Sequence, residues 1–444
     1  MDTRIAILFC FVILFVLRYA AFRILGKKST FLIVSFLVFW LPFTINILQI
    51  PPYPELKSGA FNQSFSLEPF VLFNAILLLY LLFSKTKFPF SRKDGLLVLI
   101  IVLFFFPSLI NGANVDVKYT VFFLIRILNL TLFYVLLRSC FEKETIFRGV
   151  YDALSILVIC QFFLALLFPV LGIESATEWF LPGSSKWAAE GRGGRLSAIG
   201  IFSHPGNLAL FCLISFSFFY SAFLLKVKRR DSIVFLVLSV LTLLLTLSRS
   251  GVLGFLFSFS VILYIFKNPN SSLFSLKRII YISVIGAIVF AVIYLFTPIG
   301  EYFQGDNFDE MAKARLVHWF AGFEIIRLHP FFGVGLNTHI SYFAAELPIL
   351  DGFFARSPIH NIHIIMLAET GIIGFACLFL LFSKVFKRSA LMVNKEVSVN
   401  KKVLNLAFSG VLIAFIIYGN LGWSPFANEQ ISIVYLLYYF SSRI

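Results

Sequence analysis

Charge is what this sequence has least of. Only 13% of its 444 residues are Asp, Glu, Lys or Arg, while 59% are apolar. Soluble domains run near a quarter charged. A soluble chain of this balance would have to hide more apolar surface than one or two cores hold; in a bilayer the surplus faces lipid. Cysteine is also scarce. Of Cys10, Cys140, Cys160, Cys212 and Cys377, four sit in apolar runs, none falls in a loop assigned below to the outer side, and no CxxC pair occurs. That excludes a disulfide framework and a zinc-ribbon spacing. Acidic residues number 22 against 37 basic ones, a net charge of +15. The basic residues stand in short clusters between apolar runs, the pattern of anchored helix ends and not of a nucleic-acid surface. What is abundant is phenylalanine, 58 residues, which suits lipid contact and packing between helices.

A spanning helix needs about 20 mainly apolar residues. The runs at 5–22, 31–50, 67–83, 96–111, 119–137, 150–172, 197–225, 232–247, 252–266, 279–297, 362–383 and 403–419, with a shorter one at 430–441, predict 12 or 13 transmembrane helices. The expected fold is therefore an all-α polytopic membrane protein, a single membrane domain over residues 1–444. A barrel is excluded by run length, since its strands would alternate over about ten residues. The first run lacks a small-residue cleavage site and reads as a retained span. One alternating set of loops, among them 226–231 and 384–402, carries 23 basic residues, and the longer opposite set carries 11. The first set is therefore cytoplasmic. The outer side then holds a large loop, 298–361, too long to be a mere connector. Its stretch from Asp309 to Phe320 reads as an amphipathic helix on the membrane surface.

Four polar clusters fall on the outer side. Gly191-Arg192-Gly193-Gly194-Arg195-Leu196-Ser197 precedes His204-Pro205-Gly206-Asn207. Glycines admit close approach of backbone N–H groups to an anion, and arginine offers a planar fork for phosphate oxygens; a plain loop meeting lipid headgroups fits the same residues. Ser248-Arg249-Ser250-Gly251 makes a tight turn whose arginine either finds a partner or snorkels at a helix end. Arg315 is read as beginning an apolar-rich helix that carries His318 and Trp319, and His329-Pro330 through Gly333-Val334-Gly335 is read as the turn that ends it. Ser357-Pro358-Ile359-His360-Asn361-Ile362-His363 enters a span that contains Glu369, Gly371 and Gly374. His360 and His363 would share a helix face if that helix starts early enough; no further ligand completes a metal site, so none is expected. Glu369 is either a satisfied buried carboxylate or the partner of an arginine, and Arg126, alone inside the fifth span, needs a partner or a cavity. Several arginines and histidines on one face suit a diphosphate.

In that combination and order, across roughly residues 190–385, the motifs resemble the O-antigen ligase and Wzy-type polysaccharide polymerase superfamily. The most specific pieces are His360-Asn361 with Glu369-Thr370-Gly371-Ile372-Ile373-Gly374, and then Ser248-Arg249-Ser250-Gly251. The resemblance implies a GT-C-like membrane glycosyltransferase, inverting and metal-independent, with no cofactor. It implies transfer of a glycan from undecaprenyl diphosphate to an acceptor glycan or glycolipid, on the periplasmic face of a bacterial inner membrane. Carried over by motif, Arg192 or Arg195, Arg249, Arg315 and His204 would hold the diphosphate, and His360 or Glu369 would serve the acceptor hydroxyl as base. A polymerase is the expected subtype, with an O-antigen ligase acting on the lipid A core as the alternative. A chain-length regulator would be a possible protein partner. A flippase would instead want charges along a central path, where Arg126 and Glu369 are nearly the only ones.

Overall fold

A computed structural model of the chain describes residues 92–113, 116–140, 143–171, 197–200, 204–267, 307–346 and 358–420, together with 49–50, 65–66, 74–75, 77–79, 82 and 202. A two-residue antiparallel pair, β1 (Gln49–Ile50) with β2 (Phe65–Ser66), is followed by helices only: α1 (Arg92–Ile110), α2 (Val117–Cys140), α3 (Lys143–Leu171), α4 (Pro205–Leu224), α5 (Arg229–Leu245), α6 (Arg249–Lys267), α7 (Asn307–Leu328), α8 (His339–Glu346), α9 (Ile362–Lys395) and α10 (Val399–Gly419). Among the described residues, five stretches are long and apolar enough to cross a membrane: Glu144–Leu166, Pro205–Leu224, Arg249–Lys267, Ile362–Lys395 and Val399–Gly419. The fold is an all-α polytopic membrane protein. The expected spans at 5–22, 279–297 and 430–441 lie outside the described residues, as do nearly all of 31–50 and most of 67–83.

On α5 the burial pattern is inverted relative to a soluble protein. The exposed apolar positions of the helix are Ile233, Val234, Val237, Leu241 and Leu244, while Ser232, Ser239 and Thr242 are buried together with Leu243. The apolar stripe is left for lipid and the small polar side chains pack inward, where they hold helices together. Ser217 on α4 meets Ser258 on α6 at 2.8 Å, and Ser239 on α5 donates to Ser215 on α4 at 3.1 Å. Such bonds contribute about 0.6 kcal/mol each on average.

The chain divides into two compact units, with boundaries inside α3, α7 and α9. The unit comprising 37–43, 147–312 and 382–444 is organised on α4, buried along nearly its whole length. Phe216, Tyr220, Val261, Ile262 and Leu406 form one cluster within it, with Phe216 and Phe255 at 4.6 Å between ring centroids. The other unit, 1–36, 44–146 and 313–381, holds α1, α2, α8, most of α7 and the first part of α9.

Helix ends differ from the sequence expectation in both directions. The stretch 384–402, expected as a cytoplasmic loop, is helical up to Lys395 and again from Val399. Conversely, 197–200 is irregular and α4 begins only at Pro205. Hydropathy marks the hydrocarbon thickness. A helix rich in Lys, with Arg388, runs on past that boundary, because these residues are good helix formers in water as well.

Candidate functional site

In the unit that contains residues 313–381, α9 is broken and repaired by a loop. Gly371 has φ of 61° inside the helix, so the chain kinks there. The regular bonds from Ile372 to the Ala368 carbonyl and from Ile373 to the Glu369 carbonyl are replaced by four others. Ile372 N–H donates to Pro330 O at 2.8 Å and Ile373 N–H to Phe331 O at 3.4 Å, while Val334 and Gly335 N–H donate to the carbonyls of Ala368 and Glu369 at 3.0 and 2.9 Å. Non-helical backbone inside a membrane protein is tolerated only where its polar groups are satisfied within the protein, and this swap satisfies them. It also explains two glycines. A Cβ on Gly333 would strike the backbone of Ala368 and Glu369, and one on Gly371 would strike that of Phe331; both positions also have positive φ, which side chains disfavour. The His-Pro-x-x-Gly-x-Gly and Glu-x-Gly motifs are two halves of one clasp.

The loop is secured further. Asn111 Nδ2 donates to Gly333 O at 2.6 Å, Leu336 N–H donates to Ser108 Oγ at 3.1 Å, and Thr120 Oγ1 donates to Leu336 O at 2.8 Å. His329 Nε2 and Tyr342 Oη lie 3.0 Å apart. The His329-Pro330 motif therefore has an architectural task.

Glu369, two residues before the kink, is 3% exposed. Its Oε1 stands 2.6 Å from His339 Nδ1 and accepts the His339 backbone N–H at 3.3 Å, at the first residue of α8. His339 is buried. Nothing in the sequence singles this histidine out, since it stands far from Glu369 and belongs to none of the four clusters.

A second group forms around α7. The helix starts at Asn307, so Arg315 lies inside it and does not begin it, contrary to the sequence expectation. Acidic and alanine residues ahead of Arg315 favour helix and extend it toward the amino terminus. His318, one turn after Arg315, is buried, and its ring stacks on His360 at 5.7 Å with 12° between planes. The helix that follows begins at Ile362, so His360 precedes it and shares no helix face with His363. The helix start is made by Asn361, whose Oδ1 accepts N–H bonds from His363 and Ile364 at 2.9 and 3.2 Å, as an N-cap does.

Burial pushes the His360 imidazole down from 6.5 to about 4, helped first by the charge of Arg315 and then by His318; a hydrogen bond to Pro358 opposes them. Since Pro358 offers only a carbonyl, the ring donates there. His360 Nδ1 is sealed from solvent and has no hydrogen-bond partner among the described residues, so a neutral ring presents Nδ1 as a lone pair. The folded-state value is depressed, so the unfolded chain takes the proton first. The contribution to stability is full above about pH 6.5 and is lost as pH falls toward 4, by on the order of 3 kcal/mol. His360→Asn is expected to flatten the loss of thermal stability across that window; an unaltered acid profile would exclude His360 as its source.

The remaining expected site residues belong to the other unit or lie outside the described residues. Arg249 is the half-buried first residue of α6, following Ser248, whose Oγ accepts from Gly251 N–H at 3.2 Å. His204 caps α4, its Nδ1 accepting from Gly206 N–H at 2.9 Å. The two helices start at the same end of their unit, where a Cβ on Gly251 would meet Ala209. Arg192 and Arg195 lie outside the described residues. Arg126 is buried.

Fold and site together define a class: an all-α, multi-pass membrane protein in which an arginine and two stacked histidines gather where the chain enters a long kinked helix. Residues 234–379, about a third of the chain, match the family model described as O-Antigen ligase. The match supports the O-antigen ligase and Wzy-type superfamily that the motifs resemble, and with it glycan transfer of the ligase or polymerase kind. It takes in Arg249, Arg315, His360 and Glu369, while Arg192, Arg195 and His204 precede it. No curated protein matches the chain.

Proposed function

We propose that the protein is an inverting, metal-independent glycosyltransferase of the GT-C kind that uses a glycan carried on undecaprenyl diphosphate. It works on the periplasmic face of the bacterial inner membrane and joins that glycan to an acceptor sugar as a polysaccharide polymerase, with a chain-length regulator as a candidate partner. The observation that carries this reading is the Arg315, His318 and His360 cluster. Arg315 supplies fixed positive charge for the diphosphate as it leaves, the kind of preorganised stabilisation that dominates many enzymes. His360, neutral at pH 7, accepts the proton of the acceptor hydroxyl at Nδ1. The hydroxyl oxygen attacks the anomeric carbon from the face opposite the diphosphate, the bond from that carbon to the phosphate oxygen breaks, and polyprenyl diphosphate departs. A bound diphosphate also raises the His360 pKa from its depressed value, because an adjacent negative charge favours the imidazolium. Arg192, Arg195, Arg249 and His204 are proposed as further diphosphate ligands on their motifs.

Glu369 is proposed as a brace for His339 and not as a base, because its carboxylate is buried and already engaged. The description of the matching family favours a second reading, an O-antigen ligase acting on the lipid A core. The purified protein in lipid, given a glycan-bearing polyprenyl diphosphate and an acceptor, is expected to release free polyprenyl diphosphate and lengthen the acceptor; no release would overturn the proposal. Deleting the protein is expected to collapse a glycan ladder to a single repeat. Loss of all glycan from lipid A, with long lipid-linked polymer retained, would instead select the ligase.

A further inference from the structure

Trp319 is left unexplained by the mechanism above. It lies on α7, four residues after Arg315 and next to His318, and is half-buried. Its Nε1 is sealed from solvent and has no acceptor among the described residues. A buried indole N–H usually finds a partner, and one without any is costly. A tryptophan that merely anchors a protein at the membrane surface keeps one end wet, with its polar atom at headgroup level; a sealed N–H does not fit that role. Nor does it fit simple packing, for which phenylalanine, so abundant here, would fill space without an orphan donor.

Residues four apart on a helix lie about 5–6 Å apart at Cβ, on one side of the helix. Trp319 therefore sits one turn along from Arg315, directly after His318, whose ring stacks on His360. The indole donor is neutral and rigid, suited to a hydroxyl or ring oxygen and not to the phosphate that Arg315 addresses.

We propose that Trp319 is a specificity-determining residue for the glycan: its indole N–H donates to an oxygen of the sugar next to the diphosphate when the donor is bound. This rests on the function proposed above and names the part of the donor that the α7 group reads. The half-buried ring also offers a flat apolar surface to sugar C–H groups.

The test uses the full-length protein in lipid nanodiscs, titrated with two probes, polyprenyl diphosphate without sugar and the same lipid bearing its glycan. Trp319→Phe keeps an aromatic ring and removes the donor. It is expected to bind the sugar-free lipid as the unaltered protein does and the glycan-bearing lipid about tenfold more weakly, or ~1.4 kcal/mol. Equal weakening toward both probes, or no weakening, overturns the inference while leaving the functional reading in place. Binding of neither probe by the unaltered protein overturns both. An independent readout covers a Phe variant that does not fold. In protein carrying ¹⁵N-labelled indoles, five in all, the Trp319 Nε1–H resonance is expected to shift on adding the glycan-bearing lipid and to stay in place with the sugar-free one. A shift of the same size with both probes, or with neither, overturns the inference.

Discussion

Arg315→Ala is expected to lower glycan transfer by about 100- to 1000-fold, the usual effect of deleting one preorganised donor to developing charge. The measurement is the initial rate of polyprenyl diphosphate release by the purified variant. Arg315 is half-buried, and its charge already reaches His360, where it helps to depress the imidazole. Removing it should therefore act twice: the leaving diphosphate loses its counter-charge, and the His360 pKa rises. The second effect appears as a shift of the acidic limb of the pH–rate profile to higher pH. Arg315→Lys keeps a point charge but not the planar fork that matches two phosphate oxygens at once, so it should recover only part of the rate. Normal transfer by Arg315→Ala would remove this residue from the mechanism and leave the cluster without a chemical role.

Glu369 separates two roles by a different pair of substitutions. If it braces His339, Glu369→Gln preserves the geometry, since an amide oxygen still accepts from Nδ1–H and from the first N–H of α8. Transfer should then fall by less than about tenfold, since the amide oxygen keeps both acceptor bonds. Glu369→Ala leaves the buried His339 and that N–H without their acceptor, and should cost about 3 kcal/mol of stability, read by thermal unfolding in detergent. If Glu369 is instead the base, the amide cannot take a proton. Glu369→Gln would then abolish transfer with an unchanged melting temperature, and that outcome would sink the brace reading. The surroundings favour the brace. The Glu369 main-chain carbonyl accepts from Gly335 N–H at 2.9 Å while its side chain holds α8, so one residue ties the glycine loop and the short helix to α9 at once.

The motif residues were legible in the sequence to different degrees. Gly333 and Gly335 read as a turn, and both have positive φ in the structure. His360 and Arg315 stood out as polar groups on an otherwise apolar chain, and they belong to one group with His318. His318 carried a local signal, one helical turn from Arg315. His339 carried none, because an isolated histidine in an apolar stretch looks the same whether or not a carboxylate faces it. His204 read as a phosphate ligand, and its Nδ1 is engaged in capping α4. A cap and an anion site both need a polar side chain ahead of a helix start, so the capping task of His204 was not legible in the sequence.

The amino-acid sequence by itself determined that this chain lives in a bilayer as a stack of helices, and which few polar residues interrupt them. Those properties are local: hydropathy adds up along a run of about 20 residues, and charge scarcity is visible without a fold. Only the tertiary structure decided that Gly371 breaks α9 and that residues 330–335 take over its lost hydrogen bonds, that Glu369 belongs to His339, and that Arg315 stands in mid-helix with His318 against His360. The physical reason is that a backbone group in an apolar interior must find a partner wherever one is available. That partner comes from a segment remote in the chain, at a distance no periodicity records.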